Sequence, residues 1–201
     1  MPRYFSEFPK LAYTREGITT LATNILTRLD IVRGTLDNVS LFYEYSIQEG
    51  DTPEMIASKY YNDAELHWVV LLFNGIVDPY YDWPMTYQQF ELFLNEKYGD
   101  AATAMSTHHH YEKIVKTTDN FSGTTTTNVY IIDQETYSTL VESNETKSFS
   151  TGGSVNIDIS KKDVDCYTYE QDLDDSKRII KLVKNTLIPD IKKQFKTLMS
   201  A

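Results

Sequence analysis

The sequence has a single cysteine, Cys166, which rules out an intramolecular disulfide and a cysteine-only zinc cage. Its neighbours Asp165 and Tyr167 offer no cation to favour a thiolate, so the thiol reads as inert. Positive charge is also short: 19 Lys and Arg face 29 Asp and Glu, a net −10. Binding to a phosphate backbone draws on counterions released by a basic surface, so a nucleic-acid partner is not expected. No apolar run approaches the ~18 residues of a membrane span, and Met1-Pro2-Arg3-Tyr4 does not open a signal-peptide core. The expectation is a chain made in a cytoplasm that does not enter a membrane. Nor does the sequence hold a phosphate loop or a nucleophile motif.

Tyrosine is plentiful: 15 Tyr and 9 Phe outnumber 2 Trp. Tyr joins a large apolar face to a hydroxyl that tolerates water, a composition suited to contact surfaces. Ile18, Leu21, Ala22, Ile25, Leu26 and Leu29 fall at helical spacing and predict a helix over Gly17–Leu29 within an N-terminal segment, 1–40. Leu41–Ile47 is aromatic and β-branched and predicts a strand running into the turn Glu49-Gly50-Asp51. Thr52 is placed to cap a helix opened by Pro53, and Asp63 to cap a second run, Ala64–Asn74, stopped by Gly75. That second run carries Leu66, Val69, Val70 and Phe73 on one side and Trp68, Leu71 and Leu72 on the others. A helix apolar nearly all round must be covered by more than a two-helix module, either by the rest of the chain or by another protein.

Thr86 and Gln89 are spaced as a capping box for a third helix ending at Tyr98-Gly99, which closes a segment 41–100. Residues 101–175 read as a β-rich arm: Tyr111–Lys116 and Val129–Asp133 flank a Thr-rich tip, and Lys147–Ser150 and Val155–Ile159 surround Gly152-Gly153. From Ser176 the apolar residues Ile180, Val183, Leu187, Ile191, Phe195 and Leu198 predict a C-terminal helix over 176–201, kinked at Pro189. The basic row Lys177, Arg178, Lys181 and Lys184 and the acidic stretch before it read as a solvated or partner-pairing surface.

Four sets of residues invite chemistry. His108, His109 and His110 fall short of a zinc ligand set, because only two of three consecutive residues share one side of a strand. His67-Trp68 sits inside an apolar helix, where packing is the simpler use. Asp51, Glu54, Asp78 and Asp82 could supply a glycosidase pair, yet Asp51 and Asp78 already have turn and cap positions to fill. Tyr80, Tyr81 and Trp83 lie on a loop stiffened by Pro79 and Pro84, where aromatic rings lose little entropy on docking. These three, with Trp68 and Leu71, are the candidate partner-binding residues. No catalytic residue, metal ligand or cofactor is expected.

The segment Tyr45–Asn74, YSIQEGDTPEMIASKYYNDAELHWVVLLFN, resembles a LysM module through Gly50-Asp51-Thr52, Ile56-Ala57, Tyr60, Leu66, Leu72 and Asn74. With Phe8-Pro9, Tyr13, DPYYDWP at 78–84, Lys97–Gly99 and His108–Glu112, the wider string resembles the LysM-like baseplate wedge subunit of T4-like contractile phages. The resemblance implies an α+β fold: a strand-helix-helix core with added N-terminal and third helices, a β-rich arm and a C-terminal helix. It implies a non-enzymatic virion protein, assembled in the host cytoplasm, that joins adjacent wedges of a sixfold baseplate. Its partners would be other wedge proteins and hub-proximal tail proteins, with several copies per particle. The alternative is a LysM-type module binding peptidoglycan or chitin through the loop Gly50, Asp51 and Thr52. A tail-associated peptidoglycan hydrolase comes third.

Overall fold

A computed structural model describes residues 7–27, 39–149 and 153–199. Tyr4, Leu29, Ser150 and Gly152, which entered the sequence reading, lie outside the described residues. The fold is α+β, as expected. The chain divides into two compact units, one made of Met1–Thr86 with Asp175–Ala201 and the other of Tyr87–Asp174. The division falls elsewhere than at the boundaries 41–100 and 101–175 suggested by the sequence. No described helix is long and apolar enough to cross a membrane.

The first unit opens with a hairpin of β1 (Lys10–Arg15) and β2 (Ile18–Thr23), paired from Lys10↔Thr23 to Arg15↔Ile18. This corrects the expected N-terminal helix over its described part. Glu16 and Gly17 both have positive φ, 53° and 81°, which makes a two-residue turn whose twist suits a hairpin. Thr19, Thr20 and Thr23 are β-branched, and the helical spacing of Ile18, Leu21, Ala22 and Ile25 is coincidental. Phe8, just before the hairpin, is buried and meets Phe195 edge to face at 6.2 Å.

β3 (Phe42–Ser46) follows, then α1 (Pro53–Tyr61) and α2 (His67–Phe73). Thr52 caps α1 as predicted, its hydroxyl accepting from the Met55 amide at 3.3 Å. Asp63 caps a 3-10 turn, Ala64–Leu66, that leads into α2. The strand that completes this module comes from more than a hundred residues downstream. β8 (Ile179–Val183) pairs antiparallel with β3, from Phe42↔Val183 to Ser46↔Ile179. The predicted C-terminal helix is therefore corrected to a strand followed by the helix Ile188–Met199. Ile179-Ile180-Lys181-Leu182-Val183 has strand chemistry, and Pro189 sits in the first turn of that helix, where its missing amide costs nothing.

The apolar α2 is covered by this chain. Trp68 is buried with its ring 4.6 Å from that of Phe195, Phe73 packs 5.9 Å from Phe42, and Val69 and Val70 lie in one core with Ile180, Leu182 and Val183. Asn74, the residue after α2, ties it to β8. Its side-chain oxygen accepts from the Lys181 amide at 2.8 Å, while its NH2 donates to the Lys181 carbonyl at 2.9 Å and to the Val70 carbonyl at 2.8 Å. One amide side chain thus stands in for a neighbouring strand.

The second unit holds the helices Tyr87–Tyr98, Ala101–Ser106, Gln134–Thr139 and Cys166–Ser176 around a four-stranded antiparallel sheet. Its strands are β4 (His108–Asp119), β5 (Thr125–Ile132), β6 (Ser143–Ser148) and β7 (Ser154–Asp165), in the order β5-β4-β7-β6. The second half of the Thr-rich tip expected over Phe121–Asn128 is strand, since pairing runs out to Thr118↔Thr125. The third helix, predicted to pack on the first module, belongs to this unit. Phe90, Leu94, Ala104, Val164 and Cys166 are buried here, and the buried Glu170 accepts from Lys97 at 2.6 Å and Tyr98 at 2.8 Å.

Replacing Asn74 by Ala leaves the Lys181 amide and carbonyl without that partner. Denaturant unfolding should show a loss of about 1–3 kcal/mol, with the β3–β8 region losing amide protection before the second unit does.

Candidate functional site

The two loops that the sequence singled out meet at Asp51. Gly50 takes a left-handed φ of 77°, which turns the chain so that Asp51 follows it into the interior. The Asp51 carboxylate is buried, with one oxygen accepting from Lys59 at 2.5 Å and the other from the Tyr45 hydroxyl at 2.7 Å and the Gln48 amide at 3.1 Å. Its backbone carbonyl accepts from the Trp83 indole N–H at 2.9 Å. Burial pushes the Asp51 carboxyl upward, but the Lys59, Tyr45 and Gln48 bonds outweigh it and hold the group below its ordinary value. The hydrogen bond to Asp51, then burial, push the Tyr45 hydroxyl up to about 12. Tyr45, Gln48, Lys59 and Trp83 thus all converge on Asp51.

The loop carrying Trp83 is itself a capped structure. The Asp78 carboxylate accepts from the Tyr80 amide at 3.0 Å and opens the single helical turn Pro79–Asp82. The Asp82 carboxylate accepts from the Val77 and Asp78 amides at 3.2 and 3.1 Å. Lys177 donates to the Tyr81 carbonyl at 2.7 Å. With the backbone held at these points, the aromatic cluster divides. Trp83 is half-buried over the Asp51 turn, while Tyr80 and Tyr81 stand 92% and 77% exposed.

The predicted partner-binding residues thus do not form one group. Trp68 belongs to the chain's own core and offers no surface, a correction caused by the cover that Phe195 and β8 supply. Leu71 is half-buried, and Tyr80 and Tyr81 are open. Gly50, Asp51 and Thr52 hold the turn, the charge knot and the helix cap. Among the candidate acids, Asp51, Asp78 and Asp82 each satisfy local donors.

The histidine run lies in the second unit at the start of β4, where its pairing with β7 shifts register between His108 and His110. His108 pairs with Asp163 at 2.7 Å, His109 stacks on Tyr169 at 3.8 Å, and His110 meets Glu112 at 3.1 Å. Among the described residues, no three His, Cys, Asp or Glu gather as a metal site.

One surface escaped the sequence reading. Every residue of β1 and β2 is exposed, on both faces of the hairpin, including Leu11, Tyr13, Ile18 and Leu21. A two-stranded hairpin without cover is marginal in water, so this one has apolar area to give to a partner. The signal was the Glu16-Gly17 dipeptide followed by a Thr-rich run.

A capped aromatic loop and an uncovered hairpin thus leave apolar area in water, and the comparison with known families places the chain among structural proteins of the bacteriophage base plate. The chain belongs to the family of base plate wedge protein 53, whose model matches residues 5–199. No curated relative matches it.

Because folding lowers the Asp51 pKa, the unfolded chain takes up that proton first as pH falls. The stability that Asp51 contributes should be complete above roughly pH 4, the ordinary carboxylate range, and be lost below it. Thermal melts of the native chain and an Asp51→Asn variant should differ most at neutral pH and converge in acid.

Proposed function

We propose that this base plate wedge protein joins adjacent wedges, with its strand-helix-helix-strand core a LysM-like module given over to protein contact. The observation that carries the reading is the division of its apolar surface. The core buries its own greasy helix, while the hairpin Lys10–Thr23 and the pair Tyr80 and Tyr81 leave large side chains in water. Rings on a pre-capped turn have little order left to gain on docking. The partners would be other wedge proteins and hub-proximal tail proteins, with several copies around a sixfold baseplate assembled in the host cytoplasm. Leu71 would contribute at the edge of the same module.

The chain would act by contact, without turnover or cofactor. The two loops a LysM module would turn to a glycan are here knotted together, with the Trp83 indole donating to the Asp51 carbonyl. A saccharide would have to break that bond and compete with Lys59 and Tyr45 for the carboxylate.

Substituting both Tyr80 and Tyr81 with Ser should leave thermal stability within about 0.5 kcal/mol of native, because both rings are exposed. Incorporation into base plates should fall steeply, since a hot-spot ring contributes about 2 kcal/mol or more, roughly thirtyfold in affinity. Normal incorporation of the variant, or retention of the purified chain on chitin or cell-wall columns, would contradict the reading.

A further inference from the structure

The hairpin has an unusual charge for this chain. Its two strands carry Lys10 and Arg15 and no acid, with Glu16 alone in the turn, so Lys10–Thr23 is net +1. The second unit, Tyr87–Asp174, holds six lysines, no arginine and 15 Asp and Glu, a net −9. The hairpin therefore complements the other unit of its own sequence.

The second unit also presents an unguarded sheet edge. The outer strands are β5 and β6. β6, Ser-Asn-Glu-Thr-Lys-Ser, is short and carries Glu145 and Lys147, the usual protection of an edge. β5, Thr-Thr-Thr-Asn-Val-Tyr-Ile-Ile, has no charge, proline or glycine, and Val129, Tyr130 and Ile131 are exposed. The register shows which amides point away from the neighbouring strand. Asp119 N–H donates to the Thr124 carbonyl at 2.9 Å, so Thr118↔Thr125 is a pair without direct hydrogen bonds. By alternation, the amides of Thr125, Thr127, Val129 and Ile131 point away from β4. The same argument applies to the hairpin. Asn24 N–H donates to the Pro9 carbonyl at 2.8 Å, so in β2 the amides of Thr19, Leu21 and Thr23 point outward.

We propose that copies of this chain associate head to tail, the outer edge of β2 in one copy adding to the β5 edge of another and extending its four-stranded sheet. This deepens the wedge-joining reading, on which it rests, by naming the hairpin's partner as a second copy. Both edges are Thr-rich and uncharged, so no like charges oppose each other, while the basic β1 and the acidic second unit supply attraction at longer range. Because the two surfaces differ, the contact is heterologous and generates a closed ring or an open chain.

Sedimentation velocity on the full chain at low ionic strength tests this. Concentration-dependent association is expected, weakening at least tenfold between about 0.05 M and about 0.5 M salt as the charges are screened. Thr127→Pro and Leu21→Pro each remove an outward amide without breaking their own ladder, and each should weaken association at least tenfold. Ile131→Lys, which repels the basic hairpin, and Leu21→Glu, which is repelled by the acidic unit, should act likewise and measure the contact should either proline disturb folding. An equimolar mixture of Thr127→Pro with Leu21→Pro, or of Ile131→Lys with Leu21→Glu, should recover association up to a dimer, because the first chain keeps its hairpin and the second its β5 edge. A monomeric chain at low salt, variants that associate like the native chain, or a mixture that fails to recover would overturn the proposal. A monomeric chain whose Tyr80 and Tyr81 variant still drops out of base plates would remove this inference alone and leave the wedge-joining reading standing.

Discussion

The first unit depends on one pairing across the chain. β3 and β8 are separated by the whole of the second unit, yet they form the two-stranded sheet on which α1 and α2 lie. Until β8 arrives, Trp68, Val69 and Val70 lack part of their cover, because Ile180, Leu182, Val183 and Phe195 all come from the C-terminal segment. Closing so long a loop costs entropy, although that cost grows only slowly with length. The burial of one dense core and the Asn74 bonds to Lys181 oppose it. The second unit can thus be understood as an insertion between the second helix and the final strand of a small module.

That arrangement explains which parts of the fold were legible. Local signals read correctly where a residue acts on its near neighbours: Thr52 and Asp63 cap, Pro53 opens a helix, and Gly75 and Gly99 take left-handed backbones after helices. The errors came where one pattern serves two periods. Ile18, Leu21, Ala22 and Ile25 fit a helix, and only the Glu16-Gly17 turn and its β-branched neighbours decide for strands. Ile180 and Val183 fit a helix with Leu187 and Ile191, but Lys184-Asn185-Thr186 separates a strand from a helix that has Pro189 in its first turn.

The candidate site was legible as a list of residues but not as a grouping. Asp51, Tyr80, Tyr81 and Trp83 were all identified, yet nothing in their spacing says that the indole N–H of Trp83 reaches back to the carbonyl of Asp51, 32 residues earlier. That bond separates the inward Trp from the outward Tyr pair and braces the Trp83 loop against the Asp51 turn. The requirement that something distant cover α2 was correct in its physics. The distant surface proved to be this chain's own C-terminal segment, which removes Trp68 from the docking face.

The central claim is that the hairpin Lys10–Thr23 and the Tyr80-Tyr81 turn are surfaces completed by other molecules. Amide hydrogen exchange measured on the dilute isolated chain and on the same chain within assembled base plates tests it most directly. Amides of residues 10–23 should exchange quickly in the dilute chain, as an uncovered hairpin must, and become strongly protected in the base plate. Equal protection in both states, or an unprotected hairpin in the finished particle, would contradict the account.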